Sequence, residues 1–132
     1  MRSFSLIKKT QLTILSFFIS GVSFAADPIG DIREVKGVTS IVRDKEVIET
    51  SEDLGVQLYD EAQTGNGRML IEFLDKAELS LKEHSQVFID EIYYDPDPSL
   101  SKMSMKMVMG TARFASGSLG LVNKANIDIS TP

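Results

Sequence analysis

The chain has no cysteine among its 132 residues, and this absence excludes several kinds of site. Disulfides, thiolate nucleophiles, cysteine-ligated metals and a lipid attached to cysteine at a signal cleavage site all need that side chain. The sequence also lacks a nucleophile beside a base, a glycine-rich phosphate loop, and paired carboxylates on one predicted strand face. We therefore predict that the protein is not an enzyme and holds no metal or cofactor.

Long hydrophobic runs are also absent, apart from one near the amino terminus. Three basic residues precede an apolar run of eleven residues, 12–22. This run is shorter than the roughly 20 residues that a helix needs to span a bilayer. The small residues Ser23 and Ala25 suit a cleavage site, so residues 1–25 are predicted to be a secretory signal peptide. An uncleaved membrane anchor is the alternative.

Positive charge is scarce in the part that remains, residues 26–132. It has 11 basic and 19 acidic residues, a formal net charge of −8. Nucleic acid and anionic membrane surfaces are poor partners for such a charge. Its 107 residues suffice for one small domain. We therefore expect a single domain that is periplasmic or secreted, binds no nucleic acid and does not stay in the membrane after cleavage.

From Gly30 onward the apolar residues occur in short runs separated by polar turn residues, which is typical of strands rather than long helices. The predicted strands include GVTSIVR, KEVIET, QVFIDEIYY, KMSMKMVMG, TARFASGSLG and NIDIS. The piece Gly65-Asn66-Gly67 tolerates positive φ, so the sequence predicts a turn there, ahead of the next strand. The predicted fold class is all-β.

Residues 69–85, MLIEFLDKAELSLKEHS, fit two structures. A helix would have one apolar stripe but would leave Leu79 opposite it and Ile71 at its margin. Two strands joined by a turn at Asp75 and Lys76 bury both residues. A hairpin is therefore predicted.

Five motifs, in this order, carry a family resemblance: KGVTSIVR, LGVQLYDEAQTG, MLIEFLDKAELSLKEHS, MGTARFASG and IDISTP. They resemble the periplasmic domain of the FecR family over most of residues 26–132. The matching positions are Gly37, Val38, Gly55, Asp60, Thr64, Gly65, Phe73, Asp75, Leu79, Leu81, Ser85, Gly110, Arg113, Gly117, Thr131 and Pro132. We interpret these positions as structural.

The resemblance implies a twisted, solenoid-like stack of short consecutive strands, with a small β-sandwich as the alternative. It also implies a non-catalytic interaction or sensing module that engages other proteins of the bacterial envelope.

Three departures limit what the resemblance implies. The hairpin turn is Asp75-Lys76 where the family commonly has Asp-Gly. The sequence ends at Pro132, where family members usually continue, so we expect a truncated copy or a fragment. Only a short basic stretch precedes the apolar run, so direct sigma-factor control does not carry over.

The strand NIDIS is the predicted binding edge. Ile127 and Ile129 are expected to be partly exposed and to pair with a partner's strand or with a second copy of the chain.

The alternative function is glycan binding through Tyr93 or Tyr94. Only one of these two neighbouring tyrosines can face outward on a regular strand, so one of them would form the site.

Three other groups of residues have structural explanations. His84 cannot share a strand face with Glu83 or Ser85, so these three do not form a triad, and we expect an exposed or turn histidine. The acidic stretch DEIYYDPDPS lacks the glycine that a calcium loop needs. The four methionines from Met103 to Met109 recur with a period of two, which favours a core-facing strand over a soft-metal site.

Overall fold

The computed structural model describes residues 27–97, 100–118 and 127–132, and the predicted signal peptide lies outside these ranges. The regular elements in these ranges are strands, which confirms the all-β prediction. In chain order they are β1 (Gly30–Arg43), β2 (Glu46–Glu49), β3 (Gly55–Val56), β4 (Glu61–Phe73), β5 (Glu78–Leu81), β6 (Gln86–Tyr93), β7 (Lys102–Met109), β8 (Ala112–Ala115) and β9 (Ile127–Ser130). No helix in the described part of the chain is long and apolar enough to cross a membrane.

The strands form one sheet organised around two long ones, β1 with 14 residues and β4 with 13. These two pair antiparallel from Gly30 and Phe73 at one end to Val42 and Glu61 at the other. At the Val42 end, β2 flanks β1, and β6, β7 and β9 follow β4 in that order. At the Gly30 end, β3 flanks β1, and β5 and β8 follow β4. We name the group at the Val42 end the first half-sheet and the group at the Gly30 end the second half-sheet.

The two half-sheets meet where β1 and β4 change register, between Gly37 and Thr39. Gly37 has a φ of 69°, and a Cβ on Gly67 would lie 2.3 Å from the carbonyl oxygen of Lys36. The two backbones therefore approach more closely than side chains permit. The prediction of a turn at Gly65-Asn66-Gly67 is wrong, because these residues lie inside β4, where glycine permits close backbone contact and does not reverse the chain.

One hydrophobic cluster takes side chains from both half-sheets. Its members include Ile32, Ile41, Ala62, Met69, Ile71, Phe73, Leu79, Leu81, Val87, Ile89, Ile92, Met103 and Met105. Buried and more exposed residues alternate along β4 and at the start of β7, as expected for strands with one face on a core. Met103 and Met105 are core residues, in agreement with the prediction, whereas Met109 at the end of β7 is exposed.

The hairpin predicted for residues 69–85 is confirmed. β4 and β5 pair antiparallel, with Ile71 opposite Leu79 and both side chains buried. In the connecting loop, the Lys76 N–H donates to the Phe73 carbonyl at 2.9 Å, and Lys76 has a φ of 72°. This is the arrangement of a three-residue hairpin loop closed by a left-handed residue, a position that favours glycine.

Replacing Lys76 with glycine should stabilise the fold by about 1 kcal/mol, because glycine adopts positive φ without a Cβ clash. The lysine ammonium offsets little of this gain, since its side chain is 80% exposed and lies 3.8 Å from Glu72. Urea unfolding of K76G beside K76A measures the effect, because alanine keeps the strained backbone. Equal stability of the two variants would show that the loop does not strain Lys76.

Candidate functional site

The candidate interaction site is β9, which lies at one end of the strand order. It runs parallel to β7, with Ile127 beside Met103 and Ile129 beside Met105. Ile127 packs half-buried against the core, and the Ile129 side chain is 37% exposed. Among the described strands β7 is its single neighbour, so the outer edge of β9 faces no other strand.

Exposed apolar residues also lie at the end of β7, beyond its last pair with β9. The last pair between the two strands joins Ser130 to Lys106, so β7 extends three residues further. Two of these residues, Val108 and Met109, are 40% and 52% exposed. The edge therefore offers both backbone groups and apolar side chains to an incoming strand.

The other edges of the sheet are less suited to pairing. β2 has exposed glutamates at both ends, Glu46 and Glu49. β3 has only two residues, and β8 has four, including the exposed Arg113. Charge and short length are common protections of edge strands. β9 is equally short and carries Asp128, but among the described edges it is the one on which two isoleucines alternate with a single charged residue.

Asp60, one of the positions on which the resemblance was based, is wholly buried in a polar cluster. Its carboxylate accepts hydrogen bonds from Arg43 Nε at 2.9 Å, from Arg43 Nη2 at 2.8 Å and from the Gln57 N–H at 2.8 Å. Arg43 also donates to the Gly55 carbonyl. The hydrogen bond to Asp60 raises the pKa of Arg43, more than burial lowers it. This cluster joins the end of β1 to β3 and to the start of β4.

Thr64 and Ser85 form a second polar cluster. Thr64 Oγ1 accepts from the Ser85 N–H at 2.9 Å and donates to the Lys82 carbonyl at 2.5 Å. The Ser85 hydroxyl lies 2.9 Å from both the N–H and the carbonyl of Thr111. Gly110 has a φ of 90°, and a Cβ there would lie 2.4 Å from Ser85 Cα. These residues join β4 to the connections that follow β5 and β7.

Asp75, in the hairpin loop, is 7% exposed and belongs to a third cluster. Its Oδ1 accepts from the Ala77 N–H at 3.0 Å and from the Tyr94 hydroxyl at 3.2 Å, while Oδ2 has no partner in the described ranges. The Asp75 carbonyl accepts from the Ser118 N–H, and a Cβ on Gly117 would lie 2.1 Å from that oxygen. Burial first, and the Asp75 charge second, raise the pKa of Tyr94.

The remaining motif positions are distributed over the fold. Phe73, Leu79 and Leu81 are core residues, Gly37 and Gly65 lie where β1 and β4 bend, and Val38, Arg113, Thr131 and Pro132 are exposed. The motif residues therefore occupy the core, close backbone contacts and buried polar clusters, and do not gather around one cleft.

The two adjacent tyrosines point to different environments. Tyr93 is 52% exposed, and its hydroxyl donates to Asp95 at 2.6 Å, which lowers the pKa of that carboxyl. Tyr94 is half-buried and bonds to Asp75. Of the two, Tyr93 is therefore the one available for stacking on a sugar.

His84 is exposed and lies in a turn with a φ of 55°, in agreement with the prediction of an exposed or turn histidine. In the described part of the chain, no group of three or more histidine or acidic side chains is arranged to hold a metal ion.

A second surface, which the sequence did not predict, lies on the second half-sheet. It is a groove with a volume of about 350 Å³. Four basic side chains line it, Lys36, Arg68, Lys82 and Arg113, together with Glu34 and Ser80. We name it the basic groove. The alternation of apolar and polar residues along each strand indicates that these charged side chains face outward. Which of them lie side by side depends on strand register, which the sequence does not reveal.

The structure thus has two candidate binding surfaces, the β9 edge on the first half-sheet and the basic groove on the second. Neither contains Asp60, Thr64 or Asp75, although the carbonyl of Lys82, a residue of the basic groove, accepts a hydrogen bond from Thr64. Comparisons with protein-family models, with curated proteins and with solved structures gave no match to this chain.

Proposed function

We propose that this protein is an exported, non-catalytic interaction domain of the bacterial envelope that binds a partner protein by strand addition to β9. The observation that carries the proposal is the outer edge of β9, which pairs with no other described strand, with Ile127 half-buried and Ile129 37% exposed. An added strand gains affinity from main-chain hydrogen bonds and specificity from alternate side chains. Here Ile129, Val108 and Met109 supply the apolar contacts.

The proposal includes membership of the FecR family and export through the predicted signal peptide. Support for the family comes from the roles of its motif residues in this chain. Gly110 and Gly117 lie where a Cβ would meet backbone atoms, and Asp60 and Thr64 each tie several segments together. The solenoid-like stack is part of the proposal on the strength of the resemblance alone.

The absence of cysteine permits a site-specific test of strand addition. A photo-crosslinker on S130C, at the β9 edge, should capture one envelope protein, whereas the same probe on E49C, at the β2 edge, should not. Adding I129K to S130C should abolish capture, because a lysine on this edge opposes pairing. V47K is the matched control, since Val47 is 72% exposed on β2.

Thermal unfolding of each variant verifies that the fold is retained. Equal capture from both edges, or capture that survives I129K in a folded protein, would place the interaction elsewhere. Sedimentation of the same proteins separates a foreign partner from self-association, since a second copy pairing through β9 gives a dimer that I129K dissociates.

Glycan binding through Tyr93 is the second candidate function. A ring that is 52% exposed and whose hydroxyl is oriented by Asp95 at 2.6 Å combines a stacking face with a polar group for sugar hydroxyls. Binding to a sugar array that is lost in Y93A and retained in Y59A would favour this candidate, because Tyr59 is also exposed, at 63%.

A further inference from the structure

The four cations of the basic groove project from one face of adjacent strands. Lys36 on β1 lies opposite Arg68 on β4, and Ser80 on β5 lies opposite Arg113 on β8. Lys82 directly follows β5. The residue before it, Leu81, pairs with Met69, and Met69 directly follows Arg68 on β4. The cations therefore converge across four strands, although they are distant in the sequence.

Within the part of the chain that the structure describes, no carboxylate forms an ion pair with these four cations. The ion pairs within the described ranges involve Arg33, Arg43 and Lys76, and none of the groove cations. Lys36 and Arg68 are like charges directly opposite each other, an arrangement that destabilises a sheet. The whole chain has a net charge of −5, so carboxylates are plentiful, yet Glu34 is the single acidic residue lining the groove. An anionic ligand would explain why this repulsion persists.

The size and chemistry of the groove define the ligand. Strands lie about 4.8 Å apart, so four strands span about 14 Å, enough for two anionic groups side by side. The volume of about 350 Å³ is in the range of small-molecule sites. Arginine matches phosphate oxygens in a bidentate manner, and lysine adds point charges. The acidic remainder of the protein repels long polyanions such as nucleic acid, so a small ligand is favoured.

We propose that the basic groove binds a small anion with two or more phosphate groups, either free or as the headgroup of a lipid. The groove and β9 lie on different half-sheets, so this proposal can fail while strand addition at β9 holds, and the reverse.

Calorimetric titration of residues 26–132 with sodium tripolyphosphate tests the proposal. The groove variant carries the substitutions Lys36→Gln and Lys82→Gln. The control variant carries Lys102→Gln and Lys106→Gln, both on β7. All four lysines are exposed, so both variants lose the same charge from the surface. The dissociation constant should rise about tenfold or more in the groove variant and stay near the wild-type value in the control. The melting temperature of the groove variant should not fall, because like-charge repulsion is relieved.

Cosedimentation with phosphatidylcholine vesicles containing diphosphoryl lipid A identifies the source of the phosphates. Binding to these vesicles that is lost in the groove variant assigns the headgroup of a lipid, and binding to tripolyphosphate alone assigns a soluble ligand. The proposal is overturned if the wild-type chain binds neither probe, or if the groove and control variants weaken binding equally, since that would reflect net charge only.

Discussion

Replacing Arg43 with methionine should lower the free energy of unfolding by about 3–5 kcal/mol, because it leaves the Asp60 carboxylate buried without its cation. Asp60 is fully buried, and Arg43 supplies two of the three hydrogen bonds to its carboxylate, at 2.9 and 2.8 Å. Methionine retains much of the length of the side chain, so the loss reports mainly on charge and hydrogen bonding. Urea unfolding followed by circular dichroism gives the difference.

The matched control for this change is R33M on the same strand. Arg33 is 50% exposed and lies 3.5 Å from Glu72 and 4.0 Å from Asp31, so its loss should cost at most about 1 kcal/mol. The double variant R43M/D60L should regain stability over R43M, since no uncompensated charge remains. Equal costs for R43M and R33M would mean that the Asp60 cluster contributes no more than a surface pair.

Replacing Gly67 with alanine should destabilise the fold by about 3 kcal/mol or more, because the two long strands must separate to admit a methyl group. A Cβ at this position would lie 2.3 Å from the Lys36 carbonyl oxygen and 2.6 Å from the Val38 nitrogen. Both are backbone atoms, which cannot rotate away as a side chain does. The same urea unfolding experiment measures the loss.

G65A is the matched control, since Gly65 lies two residues earlier on the same strand. There the nearest atom to a new Cβ is a methyl of Val38, at 3.3 Å, on a side chain that is 65% exposed and can move. We expect a change of less than about 1 kcal/mol. If both alanine variants lose the same stability, the loss is a general effect of replacing glycine in this part of β4, and close strand contact does not explain it.

The features predicted best from the sequence are those that depend on residues close together along the chain. Alternation identified the strands, and the positions of Ile71 and Leu79 decided between helix and hairpin because a strand buries both. The motif resemblance singled out Asp60 but not its partner Arg43, since pairing across 17 residues depends on the fold.

Features that depend on strand register were not predictable. The glycines at 65 and 67 favour either a turn or a close backbone contact, and local preference for positive φ does not separate the two. The basic groove was missed for a related reason. Its cations lie on three strands and directly after a fourth, and the shift between Gly37 and Thr39 helps to set which of them meet.

The parallel pairing of β9 also affects the rate at which the proposed partner would bind. β9 has four residues and a single strand neighbour in the described sheet, and parallel pairs are slightly weaker per residue than antiparallel ones. Local opening is easiest where buried contacts are few, so β9 amides should exchange with solvent before those of β4. Each opening exposes the β7 edge from Met103 to Lys106. In the proposed strand addition, a partner strand would then replace β9 as well as add to it, and the opening rate of β9 would set the upper limit for that exchange.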